Sequence, residues 1–180
     1  AAESPTALLT RREMQSWRLL QLEPAALRRS DEFNAPTRLA ADGSHLASTL
    51  YHLAQSNEKQ GSEPDADRVY GRVAMRLADL IEDVHSVWVE RDERRELLTL
   101  HVLGKDKTSH PARALSDGTL RFLALSVVEL DPAAEGLICL EEPENGVHPK
   151  RVPAMLRLLG DIVTDTIQPV SEENPLRQVI

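Results

Sequence analysis

Leu115-Ser116-Asp117-Gly118-Thr119-Leu120-Arg121 and, one helix-length later, Leu137-Ile138-Cys139-Leu140-Glu141-Glu142-Pro143-Glu144-Asn145-Gly146-Val147-His148-Pro149 are the stretches on which the reading of this chain turns. Leu137 to Leu140 shows no apolar–polar alternation, the pattern of a strand buried on both faces of an α/β sheet. Acidic residues begin directly at its C-terminal end, the edge at which open α/β sheets bind ligands. Two adjacent carboxylates delivered there can hold Mg²⁺ through water and orient or deprotonate an attacking water. In the first stretch, Ser116 and Gly118 precede or open a helix. A hydroxyl, free backbone N–H groups and the positive dipole end therefore converge where an anion could sit, and Gly118 permits close approach.

The surrounding sequence extends this α/β pattern. Leu120, Leu123, Ala124, Val127 and Val128 share one face of the helix opened by Asp117-Gly118, and Pro132 stops it. Pro149 suits the first turn of another helix, with Val152, Met155, Leu156 and Leu159 on one face and Gly160 as its end. Gln178-Val179-Ile180 resembles the start of an apolar strand. Upstream, Val87-Trp88-Val89 and Leu98-Thr99-Leu100-His101-Val102 flank the charged run Glu90 to Glu96, which predicts an antiparallel strand pair joined by a solvated turn. From Asp65 to Val84 the spacing of Val69, Val73, Leu77, Leu80, Ile81 and Val84 predicts a helix. Ser56 to Pro64 reads as an exposed loop. Ser44 is placed to cap a helix carrying Leu46, Leu50 and Leu53, while the apolar stretch from Ser16 to Leu27 is ambiguous in type and gives way to a loop over Arg28 to Pro36. The expected division is a mainly helical lobe over 1–84 and an α/β unit over 85–180.

Composition sets outer bounds. A chain of 180 residues supports one domain or a core with an appended lobe. With two each of Trp, Tyr and Phe, the core must rest on Leu, Val, Ile and Ala. The formal charge of −8 argues against a surface that attracts nucleic acid as a whole. The single cysteine, Cys139, lies in an apolar run and reads as a buried, reduced thiol; it excludes an internal disulfide or a Cys-based metal site. No stretch approaches the roughly 18 continuous apolar residues of a membrane span, and no signal segment opens the chain, so a cytoplasmic location is expected.

Taken together, the two opening stretches resemble the signature motif, of the form Leu-Ser-x-Gly, and a Walker B strand running into a D-loop. The likeness is to the ABC-type ATPase heads of the SMC-like group, in particular AAA-family proteins related to the overcoming-lysogenization-defect ATPases, which often carry Glu-Pro-Glu-Asn-Gly, a hydrophobic residue and His-Pro at this place. It is tightest over Ala114 to Leu159, and a weaker likeness to the group's helical lobe covers Trp17 to Leu53. The resemblance implies a partial P-loop NTPase head with a helical lobe and an antiparallel strand pair. It implies ATP and Mg²⁺ as ligands and a homodimer joined through composite ATP sites. Ser116, Asp117, Gly118 and Arg121 would then face nucleotide across the dimer, with Asn145 and His148 in the D-loop region. Glu141 would take the metal role, departing by one methylene from the usual Asp, and Glu142 the catalytic one.

The resemblance further implies that ATP-driven dimerisation controls a nuclease, a toxin or a DNA-engaging partner, with defence against phage as one setting. Two other readings stand beside it. One is an SMC-like DNA repair or chromosome-maintenance ATPase, for which long heptad runs would speak; none occurs here. The other is a non-catalytic acidic interaction domain that keeps only the motif shapes. Singly, Ser-Asp-Gly is an ordinary helix cap, Glu-Glu a solvated strand end, and His148 a helix cap rather than a ligand; it is their order and spacing that favour an ATPase. None of the eight glycines belongs to Gly-x-x-x-x-Gly-Lys-Ser/Thr, the loop that cradles phosphates. These 180 residues are therefore expected to be one part of a longer head, and not to bind or hydrolyse ATP tightly alone.

Overall fold

The computed structural model describes residues 4–56, 66–171 and 174–180. Along the chain, α1 (Pro5–Ser16) leads to β1 (Arg18–Leu20), α2 (Pro24–Leu27), β2 (Asp31–Glu32), α3 (Leu46–Ser56) and α4 (Ala66–Leu80). The hairpin β3 (Val84–Asp92) and β4 (Leu97–Gly104) follows, then β5 (Ser109–Pro111) and a 3₁₀ turn (Ala112–Ala114). Next come α5 (Asp117–Leu130), β6 (Gly136–Leu140), a second 3₁₀ turn (Pro149–Arg151), α6 (Val152–Ile162) and β7 (Arg177–Val179).

Helix α5 is the axis of the core. Leu120, Phe122, Leu123, Leu125 and Val127 are all at most 1% exposed, and even Ser126 is buried, its hydroxyl donating to the Phe122 carbonyl at 2.8 Å. A helix apolar on every side is stable only when surrounded. Here α2, α3, α4 and α6 all pack against it.

Two sheets flank this helical layer. The first is parallel, with β6 in the middle between β1 and β7 and register Arg18↔Ile138 and Ile138↔Val179. It takes one strand from the stretch 1–84 and two from 85–180. The second is antiparallel, ordered β2-β4-β3 with β5 also on β4, and its hairpin pairs Val87 with Val102. Val87, Val89, Leu98, Leu100 and Val102 turn inward, while Trp88 stacks on His101 outside with ring centroids 5.2 Å apart. The expected antiparallel pair is present, longer at both ends than its apolar residues alone suggested.

Several expectations are corrected. The helix predicted over Asp65–Val84 stops at Leu80, and Val84 opens β3. The region before Val84 also contains β1 and β2 besides its helices. The loop expected over Ser56–Pro64 lies, beyond Ser56, outside the described residues. Ser44 does not cap α3: its hydroxyl bonds Asp42, and the cap is Asp31, whose carboxylate accepts from the Ser48 N–H at 2.9 Å. Gly160 lies inside α6, which continues to Ile162, because nothing there bends the chain into a left-handed cap. The buried face of α6 is Ala154, Met155, Leu158 and Ile162, and Leu156 points outward. Strand β6 is buried on one face only: Ile138 is covered, whereas Leu137, Cys139 and Leu140 are half-buried. Cys139 is thus half-buried rather than enclosed.

Arg177, buried on β7, donates to the Glu129 carbonyl at 2.9 Å and to the Asp131 carbonyl, pinning β7 to the C-terminal end of α5. Arg18, half-buried on β1, donates to the Leu39 carbonyl at 2.6 Å, in the segment that precedes α3. Burial lowers the pKa of both guanidiniums, opposed by the nearby Asp131 charge.

Candidate functional site

The site is built where α5 begins and β6 ends. Ser116 is the N-cap of α5: its hydroxyl accepts from the Thr119 N–H at 3.3 Å and lies 2.8 Å from the Thr119 hydroxyl. Asp117 occupies the first turn, where the helix dipole favours a carboxylate. Ser116 and Asp117 are exposed, and Gly118 is buried.

At the end of β6 the Glu141 N–H donates to the Leu20 carbonyl of β1 at 3.3 Å, continuing the sheet by one residue. Glu142 then leaves it in a left-handed conformation, φ +44°, and both carboxylates are exposed. A tight turn follows: the Asn145 N–H donates to the Glu142 carbonyl at 3.0 Å, and the Asn145 side-chain amide donates to the Glu142 carboxylate at 3.2 Å. The His148 imidazole accepts from the Lys150 N–H at 3.2 Å, so it caps the 3₁₀ turn that leads into α6.

These two stretches touch backbone to backbone. A Cβ on Gly118 would overlap the Gly146 carbonyl and lie 3.0 Å from the Val147 nitrogen. A Cβ on Gly146, itself at φ +80°, would lie 3.1 Å from the Gly118 nitrogen and 3.2 Å from the Asp117 Cβ. Only glycine fits at either place. Arg121 closes the contact from the side, donating through Nε to the Leu22 carbonyl at 3.1 Å and through Nη1 to the Asn145 carbonyl at 2.6 Å.

Sequence reasoning missed Arg28. Its guanidinium reaches from α2 to the Leu115 carbonyl at 3.0 Å and to the Asp117 carboxylate at 2.5 Å, holding the loop before α5 in place. No local signal marks it, since its partners lie 87 and 89 residues along the chain. Ser116, Asp117, Gly118 and Arg121 lie on the first turns of α5, with Asn145 and the turn at Gly146 against them and Glu142 joined to Asn145. Glu141 stands at the adjoining strand end and His148 where the turn enters α6.

The residues suit Mg²⁺ of the kind that is shared with a nucleotide. Mg²⁺ keeps several waters and takes one or two carboxylates plus phosphate oxygens. Glu141 and Glu142 offer exposed carboxylates at the strand end, and no group of three or more His, Cys, Asp and Glu gathers among the described residues. Among the described residues, no helix is long and apolar enough to cross a membrane.

A parallel sheet whose middle strand ends in paired carboxylates, beside a serine-capped helix opened by glycine, makes this a mixed α/β domain. The chain belongs to the family described as "AAA domain, putative AbiEii toxin, Type IV TA system", whose profile matches residues 14–180. It is accordingly an AAA-family ATPase domain. No curated protein matches the chain.

Proposed function

We propose that the chain is the signature and Walker B part of an SMC-like, ABC-type ATP-hydrolysing head, acting on nucleotide shared between two subunits in the cytoplasm. The observation that carries this reading is the direct contact of Gly118 with the turn at Gly146, which makes one surface of the helix N-terminus and the carboxylate-bearing strand end. Ser116 and the first-turn N–H groups of α5 serve the phosphates, with Asp117 held in register by Arg28. Glu142 orients and deprotonates the attacking water; its left-handed backbone leaves the sheet, and its exposed carboxylate is held by the Asn145 amide. Glu141 would hold Mg²⁺, which would neutralise charge on the phosphate oxygens of bound ATP. Arg121 and Asn145 act on the nucleotide site by fixing the turn, since their polar groups are engaged with Leu22, Glu142 and each other. His148 sets the entry to α6.

The helices α2, α3 and α4 of 1–84 pack on α5 in one core with 85–180 and belong to that same head. The phosphate cradle that these residues lack is supplied by a P-loop elsewhere in the protein. The wording of the family supports a toxin–antitoxin setting; in this reading ATP-driven dimerisation controls a toxin or nuclease, with DNA as a further ligand.

The test is complementation in the full-length protein. Subunits carrying Ser116→Arg, which fills the phosphate-facing surface, are mixed with subunits whose P-loop is defective. A mixed dimer retains one composite site free of both lesions only if the two motifs come from different chains. Partial return of ATPase activity is the expected result; no return despite demonstrated heterodimers sinks the trans arrangement.

A further inference from the structure

Arg121 stands on the same face of α5 as Asp117 and Gly118, one turn further in. Two of its three guanidinium nitrogens are held by carbonyls of its own chain: Nε donates to Leu22 at 3.1 Å and Nη1 to Asn145 at 2.6 Å. Leu22 follows β1, whose Leu20 carbonyl receives the Glu141 N–H, and Asn145 lies in the turn after β6. One side chain therefore joins the start of α5 to the segments that leave both of these neighbouring strands.

From Asn145 the chain of bonds continues to Glu142. The Asn145 side-chain amide donates to the Glu142 carboxylate at 3.2 Å, and the Asn145 N–H donates to the Glu142 carbonyl at 3.0 Å. Glu142 is held at φ +44°, a conformation that a non-glycine residue keeps only where its surroundings over-determine it. The two bonds that fix it both come from Asn145. The Asn145 carbonyl is held in turn by a charge-assisted bond from Arg121, about twice as strong as one between neutral groups. Without the guanidinium, the turn has only its own two bonds to oppose the strain at Glu142. Glu141 is anchored differently, by the sheet itself through Leu20.

We propose that Arg121 is a positioning residue for Glu142 of its own chain, acting through Asn145, and not a ligand of the nucleotide that Ser116 serves on the other subunit. The inference rests on the roles of Ser116 and Glu142 proposed above. It divides the first turns of α5 between two ATP sites: the N-cap works across the dimer, and Arg121 works on the chain's own site. Losing the guanidinium misaims the general base without removing a phosphate contact, so it slows the chemical step and spares ATP affinity.

In the full-length protein, Arg121→Ala should lower kcat by about 10- to 100-fold while KM for ATP stays within about twofold of the parent. Asn145→Ala should give a similar loss, and the double variant no more than the larger single one, because both break the same chain of bonds. Arg121→Lys, which keeps a charged donor for the Asn145 carbonyl, should recover part of kcat. In a Glu142→Gln background, Arg121→Ala should cost less than about twofold further. The subunit assignment is read by mixing Arg121→Ala subunits with Ser116→Arg subunits. If Arg121 serves its own Glu142, both lesions of a mixed dimer fall on one composite site, the other site is intact, and activity returns in part. If Arg121 serves the partner's nucleotide, each site carries one lesion and nothing returns. No return from demonstrated heterodimers, while the P-loop mixture described above does recover, overturns the proposal; failure of both mixtures sinks the trans role of Ser116 instead. Whichever way the mixtures behave, the proposal is overturned by an Arg121→Ala variant that raises KM for ATP and keeps kcat, or that loses as much in the Glu142→Gln background as in the parent.

Discussion

At Glu142 the backbone is held at φ +44°, a left-handed conformation that costs a non-glycine residue about 1 kcal/mol or more. The turn that follows compensates: two bonds from Asn145 return to the same residue, one to its carbonyl and one to its carboxylate. The carboxylate is thus aimed by its own turn. Glu142→Gln keeps this shape, because the amide oxygen still accepts from Asn145, but it cannot take a proton. In the full-length protein, ATP binding by the variant should match the parent while steady-state hydrolysis falls by about 10² to 10⁴, the range for loss of a general base. Hydrolysis at the parent rate would remove Glu142 from the catalytic role. Arg28 and Arg121 show a different use of charge. Arg28 is spent on the Leu115 carbonyl and the Asp117 carboxylate, and Arg121 on the Leu22 and Asn145 carbonyls, which is the work of clamps on loops that must not drift.

Among the elements, α3 owes its start to Asp31, a residue of β2 that is 7% exposed and bonds both the Ser48 N–H and the His45 ring. Asp31→Ala should cost about 1–2 kcal/mol in urea unfolding, with Asp31→Asn much milder; equal losses would show that cap acceptance is not the cause. This cap was illegible in the sequence for a physical reason. Ser44 stands at the local capping position, but its hydroxyl is taken by Asp42, and the acceptor that replaces it comes from 17 residues upstream. Strand β1 was hidden in the same way, as three residues whose partners lie in β6 near residue 138. What could be read was what local chemistry decides: the Ser116 cap, the helix α5 with its apolar face, the strand pair flanking the charged run Glu90 to Glu96, and the carboxylates after Leu140. Between α4 and β3, burial pushes the Tyr70 pKa up from 10.0 to about 12. The fold therefore favours neutral tyrosine. Its contribution is complete below pH 10 and is lost as pH rises from 10 towards 12, where the unfolded chain ionises first. Stability measured across that window should fall more steeply for the parent than for Tyr70→Phe; parallel curves would refute the linkage.

Across the molecule, three helices meet at Arg76. It bonds Glu129 of α5 through Nε at 2.8 Å and Nη2 at 2.5 Å, and Asp161 of α6 through Nη1 at 2.8 Å. The Glu129 hydrogen bonds raise the Arg76 pKa, outweighing burial. Glu129 is 8% exposed, so Arg76→Met strands a buried carboxylate and should cost about 2 kcal/mol. Arg76→Met with Glu129→Leu should recover most of that in chemical denaturation. A double variant as weak as the single one would place the loss in packing instead. The contact between Gly118 and Gly146 has a further meaning at this scale. Because no side chain stands between the turn that opens α5 and the turn at Gly146, their separation is a gauge set by main chain alone. Point substitution has no graded adjustment to offer there: any larger residue forces the two apart, and no smaller one exists. Descendants of this sequence that tune their turnover must do so through the clamps around the gauge, Arg28, Arg121 and Asn145, or by inserting and deleting residues, which makes the spacing itself heritable in whole steps.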